Sequence, residues 1–370
     1  MSQDHQRPGS TSPVRYEWRD RVPIENTLRL PAMARRELVI LDTQPEVFCT
    51  PAVTEWLADP RVEVIGGGSN LVFVAPEVER TVRVTASRWW KKAGKAPSVE
   101  VIVESGKGLD ELVRETAGEG WYGLEALAEI PGTVGAAPVQ NVGAYGTEIG
   151  ERVDWVEAYD RVERRLRRLR TAECEFGYRT SRFKRETGRW LITRVALTLF
   201  RDRPDDWPRA SYPGVANALA EWSARNRRDV ESITPLEYAG IITRIRLGKL
   251  PDWRRDLPGS VGSFFQNPVV TAEKAAELRR RWPAMPQFEL PGGHGVKLSA
   301  GWLIEQVGLK GYREGNVGVS PVHALVLLHH GGGSGEQFWA LAERVRDAVD
   351  TRFDVTLQPE PRIIDVVRRD

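Results

Sequence analysis

Residues 62–74 read Val-Glu-Val-Ile-Gly-Gly-Gly-Ser-Asn-Leu-Val-Phe-Val, two short apolar runs joined by a glycine loop. The runs Val62–Ile65 and Leu71–Val74 predict strands. Glycines reach positive φ at little cost, so the N–H groups of loop 66–70 can converge on an anionic phosphate. A Rossmann fingerprint is disfavoured because its glycines open a helix, whereas this loop leads into a strand. A hairpin without a ligand remains the alternative.

A second glycine-rich loop follows at residues 130–146, Ile-Pro-Gly-Thr-Val-Gly-Ala-Ala-Pro-Val-Gln-Asn-Val-Gly-Ala-Tyr-Gly. Its small residues allow close backbone approach, and Gln140 and Asn141 add amide donors. Two such loops can hold a long, doubly phosphorylated ligand. A third cluster, Gly331–Gly335, precedes an amphipathic helix and is interpreted as a connector.

The rest of the chain alternates strands and helices, which predicts an α+β protein of more than one domain. Residues 1–22 are rich in Ser, Pro, Gln and charge and are expected to be a disordered leader. The Pro-rich segment 201–213 indicates an excursion or a boundary. Apolar runs predict further strands at Val99–Val103, Trp155–Tyr159 and Ile192–Phe200. Helices are predicted at Leu109–Glu119, with Leu109, Leu112 and Val113 on one face, and at Ser299–Val307, with Ser299 as the N-cap. Further helices are predicted near Thr171 and at Thr271–Trp282 and Glu336–Val349.

Composition excludes several classes of protein. The chain has 370 residues, 41% hydrophobic and 28% charged, enough for two or three domains. A net charge of +2 gives no excess of positive charge for binding nucleic acid. Only two cysteines occur, too few for a disulfide framework. No run approaches the roughly 20 apolar residues of a membrane span, and the N-terminus has no apolar signal core. We therefore expect a cytoplasmic protein that binds neither nucleic acid nor membrane.

The histidines limit the chemistry further. His5 lies in the leader and the other four fall in the last quarter of the chain, and no Gly-x-Ser-x-Gly elbow is present. A Ser-His-Asp hydrolase is therefore disfavoured. His329 and His330 end an apolar run in which successive side chains point to opposite faces, so they are poorly placed to share a metal ion. No metal site is predicted.

Six ordered motifs resemble those of the UDP-N-acetylenolpyruvoylglucosamine reductase (UDP-N-acetylmuramate dehydrogenase) family, over about Asn26 to Arg362. Each motif alone is weak, but their order along one chain is specific. The motifs are Gly66-Gly67-Gly68-Ser69-Asn70, Ile130-Pro131-Gly132 through Asn141-Val142-Gly143-Ala144-Tyr145-Gly146, Phe176-Gly177-Tyr178-Arg179, Gly262-Ser263-Phe264-Phe265-Gln266-Asn267-Pro268, Lys297-Leu298-Ser299-Ala300-Gly301-Trp302-Leu303-Ile304 and Pro359-Glu360.

The resemblance implies a fold and a domain organisation. It implies an FAD-binding domain of the vanillyl-alcohol-oxidase type in two lobes, followed by a C-terminal α+β substrate-binding domain. The expected boundaries are residues 23–85 for the first lobe, completed by 354–370, residues 86–249 for the second lobe, and 250–353 for the substrate-binding domain.

The resemblance also implies a reaction, in which NADPH reduces FAD and hydride then passes from flavin N5 to C3 of the enolpyruvyl ether. Ser263 matches the family's proton donor to C2; the alternative is a turn or cap serine. Arg179 matches the residue that binds the substrate carboxylate, where a planar guanidinium holds two oxygens; the alternative is a surface ion pair. Glu360 matches the active-site glutamate, which is either protonated or hydrogen-bonded away from the developing charge.

Ligand-binding residues follow from the same resemblance. The FAD is expected to be noncovalent, because no histidine lies between His5 and His294. A monomer is expected. The predicted cofactor residues are Gly66, Gly67, Gly68, Ser69, Asn70, Ile130, Pro131, Gly132, Gly135, Ala136, Gln140, Asn141, Gly143 and Ala144. The residues matched to the phosphates or sugar of the nucleotide-sugar substrate are Tyr212, Arg246, Lys249, Asn267 and Lys310.

Some residues depart from the family's pattern, and other functions stay open. Gln266 stands where many relatives have lysine, and Arg29-Leu30-Pro31 replaces a glycine-containing turn.

One rival function is that of an oxidase of the same FAD fold that uses oxygen. Another is a nucleotide-sugar-binding protein without catalysis, which the joint presence of Arg179, Ser263 and Glu360 disfavours. A purely structural α+β protein would not need two glycine loops.

Overall fold

The computed structural model describes residues 15–92, 97–210, 212–290, 293 and 295–365. A mixed sheet at the N-terminal end has the strand order β1-β2-β5-β3, in which only the β1–β2 pair is antiparallel. Its inner face packs on the helix α1 (Pro51–Ala58) through buried Leu38, Val53 and Val82. The strands are β1 (Tyr16–Pro23), β2 (Met33–Ile40), β3 (Val62–Val64) and β5 (Glu77–Val84).

The prediction of a disordered leader is wrong for residues 16–22. These residues form most of β1, which pairs with β2 from Tyr16 opposite Ile40 onward. Trp18 explains the difference, because its ring packs edge-on against Trp56 with centroids 4.8 Å apart. Two aromatic side chains anchor a segment whose charge content alone indicates disorder. Residues 1–14 lie outside the described residues.

The glycine loop at 66–70 does not join a hairpin. β3 pairs with β5, whereas β4 (Leu71–Phe73) pairs in parallel with β19 (Arg362–Ile364). The Arg362 N–H also donates to the Asn70 carbonyl at 3.0 Å. The hairpin alternative is therefore wrong, and the loop lies beside the C-terminal end of the chain.

A five-stranded antiparallel sheet, in the order β11-β10-β12-β7-β6, forms the middle of the chain. Its core includes Val101 and Val103 with Leu112 and Val113, so the predicted apolar helix face is confirmed. The strands are β6 (Trp89–Lys92), β7 (Ser98–Glu104), β10 (Val153–Asp160), β11 (Arg165–Arg170) and β12 (Trp190–Phe200), with the short hairpin β8 (Gly143–Ala144) and β9 (Thr147–Glu148). The helices are α2 (Leu109–Gly118), α3 (Thr171–Cys174), α4 (Arg182–Arg185), α5 (Pro213–Asn226) and α6 (Pro235–Leu247).

The C-terminal part combines two small antiparallel sheets with three helices. Ser299 caps α8 as predicted, because its Oγ accepts from the Trp302 N–H at 3.3 Å. No helix within the described ranges is long and apolar enough to cross a membrane. The strands are β13 (Val269–Val270), β14 (Gln287–Glu289), β15 (Val296–Leu298), β16 (Arg313–Glu314), β17 (Val317–Val319) and β18 (Leu327–His329). The helices are α7 (Ala272–Arg281), α8 (Ala300–Gln306) and α9 (Gly335–Phe353).

The third glycine cluster contacts a buried histidine, His329. His329 Nδ1 lies 2.8 Å from the Leu28 carbonyl oxygen, and its Nε2 accepts from the Gly333 N–H at 3.1 Å. A Cβ on Gly333 would lie 3.1 Å from the imidazole ring. The histidine thus ties the segment before α9 to the N-terminal end of the fold, which supports the interpretation of a connector.

One buried carboxyl group in the middle of the chain gives a pH-dependent prediction. Glu125 is 3% exposed; its Oε2 accepts from the Gly123 N–H at 2.7 Å, whereas Oε1 has no partner within the described residues. Burial raises the pKa of this carboxyl to about 7 from an ordinary 4.5. The folded protein therefore binds the proton more tightly than the unfolded chain, and stability falls as pH rises from 4.5 through 7.

Glu125→Gln, which mimics the protonated acid, is expected to stabilise the protein by about 3 kcal/mol at pH 8 and by less than about 1 kcal/mol at pH 5. Urea unfolding at both pH values measures the difference. Glu119→Gln, on an exposed residue, is the control and should change neither value. Equal stabilisation by Glu125→Gln at the two pH values would contradict a titrating Glu125.

Candidate active site

A cavity of about 530 Å³ lies where both glycine loops, the loop after α3 and the C-terminal end of the chain meet. Sites for small molecules and cofactors have volumes of about 300–1000 Å³. Its wall combines loop backbone with the side chains of Arg179, Ser263 and Glu360. These three residues are more than 80 positions apart in the sequence, and the fold brings them to one cavity.

The two glycine loops approach each other closely enough to exclude side chains. A Cβ on Gly67 would lie 2.8 Å from the Cα of Gly132. Gly132 has φ +109° and Gly68 has φ +64°, conformations that L side chains rarely adopt. The backbone of the two glycine loops therefore forms a glycine cradle in the cavity wall, of a kind that can hold phosphate groups.

Asn70 connects three segments of the cavity wall. Its Nδ2 donates to Gln140 Oε1 at 2.7 Å and to the Glu360 carbonyl oxygen at 3.2 Å. The first loop, the second loop and the C-terminal segment are thus joined by one side-chain amide. Asn70 and Gln140 fix the cradle, and the Asn70 amide group is already engaged by protein acceptors.

Arg179 and Glu360 form an ion pair in the wall. The Arg179 Nε donates to Glu360 Oε1 at 2.9 Å, and its Nη2 donates to the Gly143 carbonyl at 3.0 Å. Burial alone would lower the pKa of the guanidinium, but the Glu360 carboxylate outweighs it and raises that pKa. Arg179 thus remains a cation that is fixed at two points and partly neutralised.

Backbone pairing places Ser263 next to Glu360. The Glu360 N–H donates to the Phe264 carbonyl at 2.8 Å, and Phe265 pairs with Pro359 in an antiparallel bridge. Within the described part of the chain, the Ser263 hydroxyl has no hydrogen-bond partner, so it caps no helix. A hydroxyl without a protein partner in a cavity wall is free to bind a ligand.

Most of the predicted cofactor residues line the cavity, with two exceptions. Asn141 is 2% exposed, and its Nδ2 donates to Glu148 and to the Gly177 carbonyl while its Oδ1 accepts from the Gly150 N–H. Its amide holds the loop together and has no donor left for a cofactor. Ala144 lies in β8, also outside the wall. The residues in the wall are Gly66, Gly67, Gly68, Ser69, Asn70, Ile130, Pro131, Gly132, Gly135, Ala136, Gln140 and Gly143.

Of the predicted substrate residues, only Arg246 lies in the cavity wall. Its Nε donates to the Glu129 carbonyl at 3.3 Å. Nearby, the ring of Tyr145 meets the exposed Tyr212 edge-on with centroids 5.8 Å apart. Asn267 Oδ1 accepts from the N-terminal N–H of α8, at Ala300. The structure does not place Tyr212, Lys249, Asn267 or Lys310 in the wall itself.

Lys249 and Lys310 nevertheless lie near each other, around His323. Burial first, and then these two ammonium groups, lower the pKa of His323. Lys310 also pairs with Glu305 at 2.7 Å. His323 was not predicted as a site residue, although its position in the histidine-containing last quarter of the chain was a signal. Two lysines from separate segments thus act electrostatically on one histidine outside the cavity wall.

Arg29, which departs from the family's glycine-containing turn, is held by a specific contact. It has φ +58°, a conformation that favours glycine. Its Nη2 donates to the carbonyls of Trp253 at 2.8 Å and Arg255 at 3.0 Å. Because Trp253 lines the cavity, the departure contributes to holding this part of the wall.

Comparison with known proteins defines the class. Residues 56–166 match a profile described as an FAD binding domain, and residues 254–364 match the profile of the UDP-N-acetylenolpyruvoylglucosamine reductase C-terminal domain. The first match contains both glycine loops in full, 66–70 and 130–146, which agrees with the glycine cradle. The chain is thus an FAD-dependent oxidoreductase, and the predicted α+β fold class is confirmed.

Similar proteins give the family. A UDP-N-acetylenolpyruvoylglucosamine reductase of Pseudomonas aeruginosa is 43% identical over 301 residues, covering 81% of this chain and 85% of that protein. One of Azoarcus sp. is 40% identical over 341 residues, covering 91% and 94%. The chain belongs to the UDP-N-acetylenolpyruvoylglucosamine reductase family. The crystal structure of the Thermus caldophilus reductase has a similar fold, with TM-score 0.61 at 22% identity over 95% of this chain and 99% of that one.

Proposed function

We propose that this chain catalyses the NADPH-dependent reduction of UDP-N-acetylenolpyruvoylglucosamine to UDP-N-acetylmuramate through FAD, a step of peptidoglycan precursor synthesis in the cytoplasm. The observation that carries the proposal is the convergence of Arg179, Ser263 and Glu360 on the cavity that also contains the glycine cradle. A protein that only binds a nucleotide sugar would not need a free hydroxyl beside a fixed cation and carboxylate. We further propose the domain boundaries given above, with the first lobe extended to include β1, and a monomer.

The backbone of both glycine loops would hold FAD, which when bound and reduced would supply hydride to C3 of the enolpyruvyl ether. Arg179 binds the substrate carboxylate with the guanidinium nitrogens left free by Glu360 and disperses charge that moves onto it. Ser263 gives its hydroxyl proton to C2, a centre that becomes far more basic than water. Both groups therefore act on the product-forming step.

In this proposal Glu360, unlike Arg179 and Ser263, does not contact the reacting atoms of the substrate. A carboxylate facing the developing negative charge would repel it. Its Oε1 instead accepts from Arg179 Nε at 2.9 Å, which directs the carboxylate toward a cation. This contact supports the alternative in which Glu360 is hydrogen-bonded away from the reacting atoms. We propose that the role of Glu360 is to orient Arg179.

The diphosphate of the substrate needs cations on the way to the cavity. Arg246 in the wall supplies one cation, Lys249 and Lys310 supply two more, and Tyr212 is exposed beside Tyr145. We propose that these three cations, together with Tyr212 and Asn267, bind the nucleotide portion.

The function is tested by following NADPH oxidation, both anaerobically and in air, with and without UDP-N-acetylenolpyruvoylglucosamine. We expect sustained oxidation only with the substrate, and much slower turnover with NADH. Substrate-independent turnover that requires oxygen would favour the oxidase alternative instead.

Noncovalent FAD is a separate prediction. Within the described residues, no histidine or cysteine side chain lines the cavity, so no such nucleophile is placed to attach the flavin. Acid precipitation of the purified protein is expected to leave the yellow colour in the supernatant. Colour that stays in the precipitate would contradict the prediction.

A further inference from the structure

The half-buried Lys184 also lines the cavity and has no role in the function proposed above. Its Nζ donates to the backbone carbonyl of Arg179 at 3.0 Å. It forms no ion pair with any carboxylate of the described ranges, although the Glu360 charge acts on it. A lysine taken partly out of water without a carboxylate partner is unusual for a residue that only provides solubility.

The segment around Lys184 is rigidly tied to the second glycine loop. Lys184 lies on α4, whose capping residue Ser181 accepts from the Lys184 N–H at 3.2 Å. The Ser181 hydroxyl in turn donates to the Val139 carbonyl at 2.6 Å. Because α4 is fixed in this way, the position of the ammonium group is set by the cofactor loop rather than by solvent.

Arg179 needs such support because its backbone conformation is strained. It has φ +53°, in the left-handed region that costs free energy for a residue with a Cβ. Its backbone carbonyl oxygen is the atom that Lys184 contacts, and in this conformation its side chain donates to Glu360 and to the Gly143 carbonyl. Loss of the ammonium group would release the backbone while leaving the guanidinium intact.

We propose that Lys184 is a positioning residue, which holds Arg179 in the conformation that presents its guanidinium to the substrate carboxylate. The inference rests on the proposed role of Arg179. It predicts that Lys184 acts on the transfer to the enolpyruvyl substrate and not on FAD reduction by NADPH.

The test measures the two half-reactions separately by stopped-flow absorbance of the bound FAD. In Lys184→Met, flavin occupancy and FAD reduction are expected to stay within about twofold of wild type, while reoxidation by the substrate slows about 10–100-fold, as for the loss of a charged hydrogen bond. Lys184→Arg, which keeps a cation and its donors, should recover most of that rate. Lys274→Met is the control, because Lys274 pairs with the exposed Asp354 elsewhere on the protein.

A double-mutant cycle tests whether Lys184 affects the reoxidation rate through Arg179. If Lys184 acts through Arg179, adding Lys184→Met to Arg179→Met causes no further loss of the reoxidation rate. A wild-type reoxidation rate in Lys184→Met, an equal loss in both half-reactions, or a full additional loss in the double variant would each overturn the inference. A wild-type rate in Arg179→Met alone would show that the proposed function of Arg179 fails as well.

Discussion

Replacing Ser263 by Ala is expected to slow reoxidation of FAD by the enolpyruvyl substrate by about 10²–10⁴-fold. Reduction of FAD by NADPH should keep nearly the wild-type rate, because that step needs no proton at C2. The reason lies in the cavity wall, where the Ser263 hydroxyl has no protein partner among the described residues and is placed beside Glu360 by backbone pairing. Stopped-flow absorbance of FAD separates the two steps.

Ser263→Cys is the matched variant for this prediction, because a thiol of similar size can still donate a proton. We expect it to recover part of the lost rate. If Ser263→Ala slowed only FAD reduction, or neither step, serine would not be the proton donor. The assignment carried over from the family resemblance would then be wrong for this chain.

Replacing Gly67 by Val is expected to remove most of the bound FAD. A Cβ at this position would lie 2.8 Å from the Cα of Gly132, and backbone atoms cannot move aside as a flexible side chain can. The two glycine loops would separate, and the cradle of exposed N–H groups would be lost. Flavin absorbance relative to protein absorbance in the purified variant measures the occupancy.

Gly118→Val provides the control, because a Cβ on Gly118, at the end of α2, meets no atom within 4 Å. This variant should retain FAD. A thermal unfolding midpoint for each variant separates loss of cofactor from loss of fold. Full flavin occupancy in Gly67→Val would contradict the assignment of the loops to the cofactor.

Local signals in the sequence were sufficient where one side-chain pattern decides the structure. The helix at Leu109–Gly118 and the capped helix after Ser299 have their apolar residues on one face, and both were predicted within one or two residues. Helices α5 and α6 were not predicted, because Pro213 and Pro235 suggest a chain break. Proline is well tolerated in the first turn, where a helix needs no N–H donor, and this is where both prolines stand.

Contacts between distant segments could not be predicted from local patterns. The N-terminal strand depends on the packing of Trp18 against Trp56, and the loop 66–70 is set by the pairing of β4 with β19, about 290 positions later. The sequence also does not indicate which group a polar side chain in a glycine loop will hydrogen-bond to. Asn141 binds Gly150 and Gly177, both outside the loop, whereas Gln140 lines the cavity.

The central claim is that electrons from NADPH reach the enolpyruvyl group through FAD in this cavity. The most direct test is an anaerobic single turnover, in which enzyme reduced by NADPH is mixed with UDP-N-acetylenolpyruvoylglucosamine and the products are identified by mass spectrometry. We predict that the absorbance of oxidised FAD returns completely and that one UDP-N-acetylmuramate forms for each FAD. Absorbance that returned only after oxygen was admitted, with the substrate recovered unchanged, would contradict the claim.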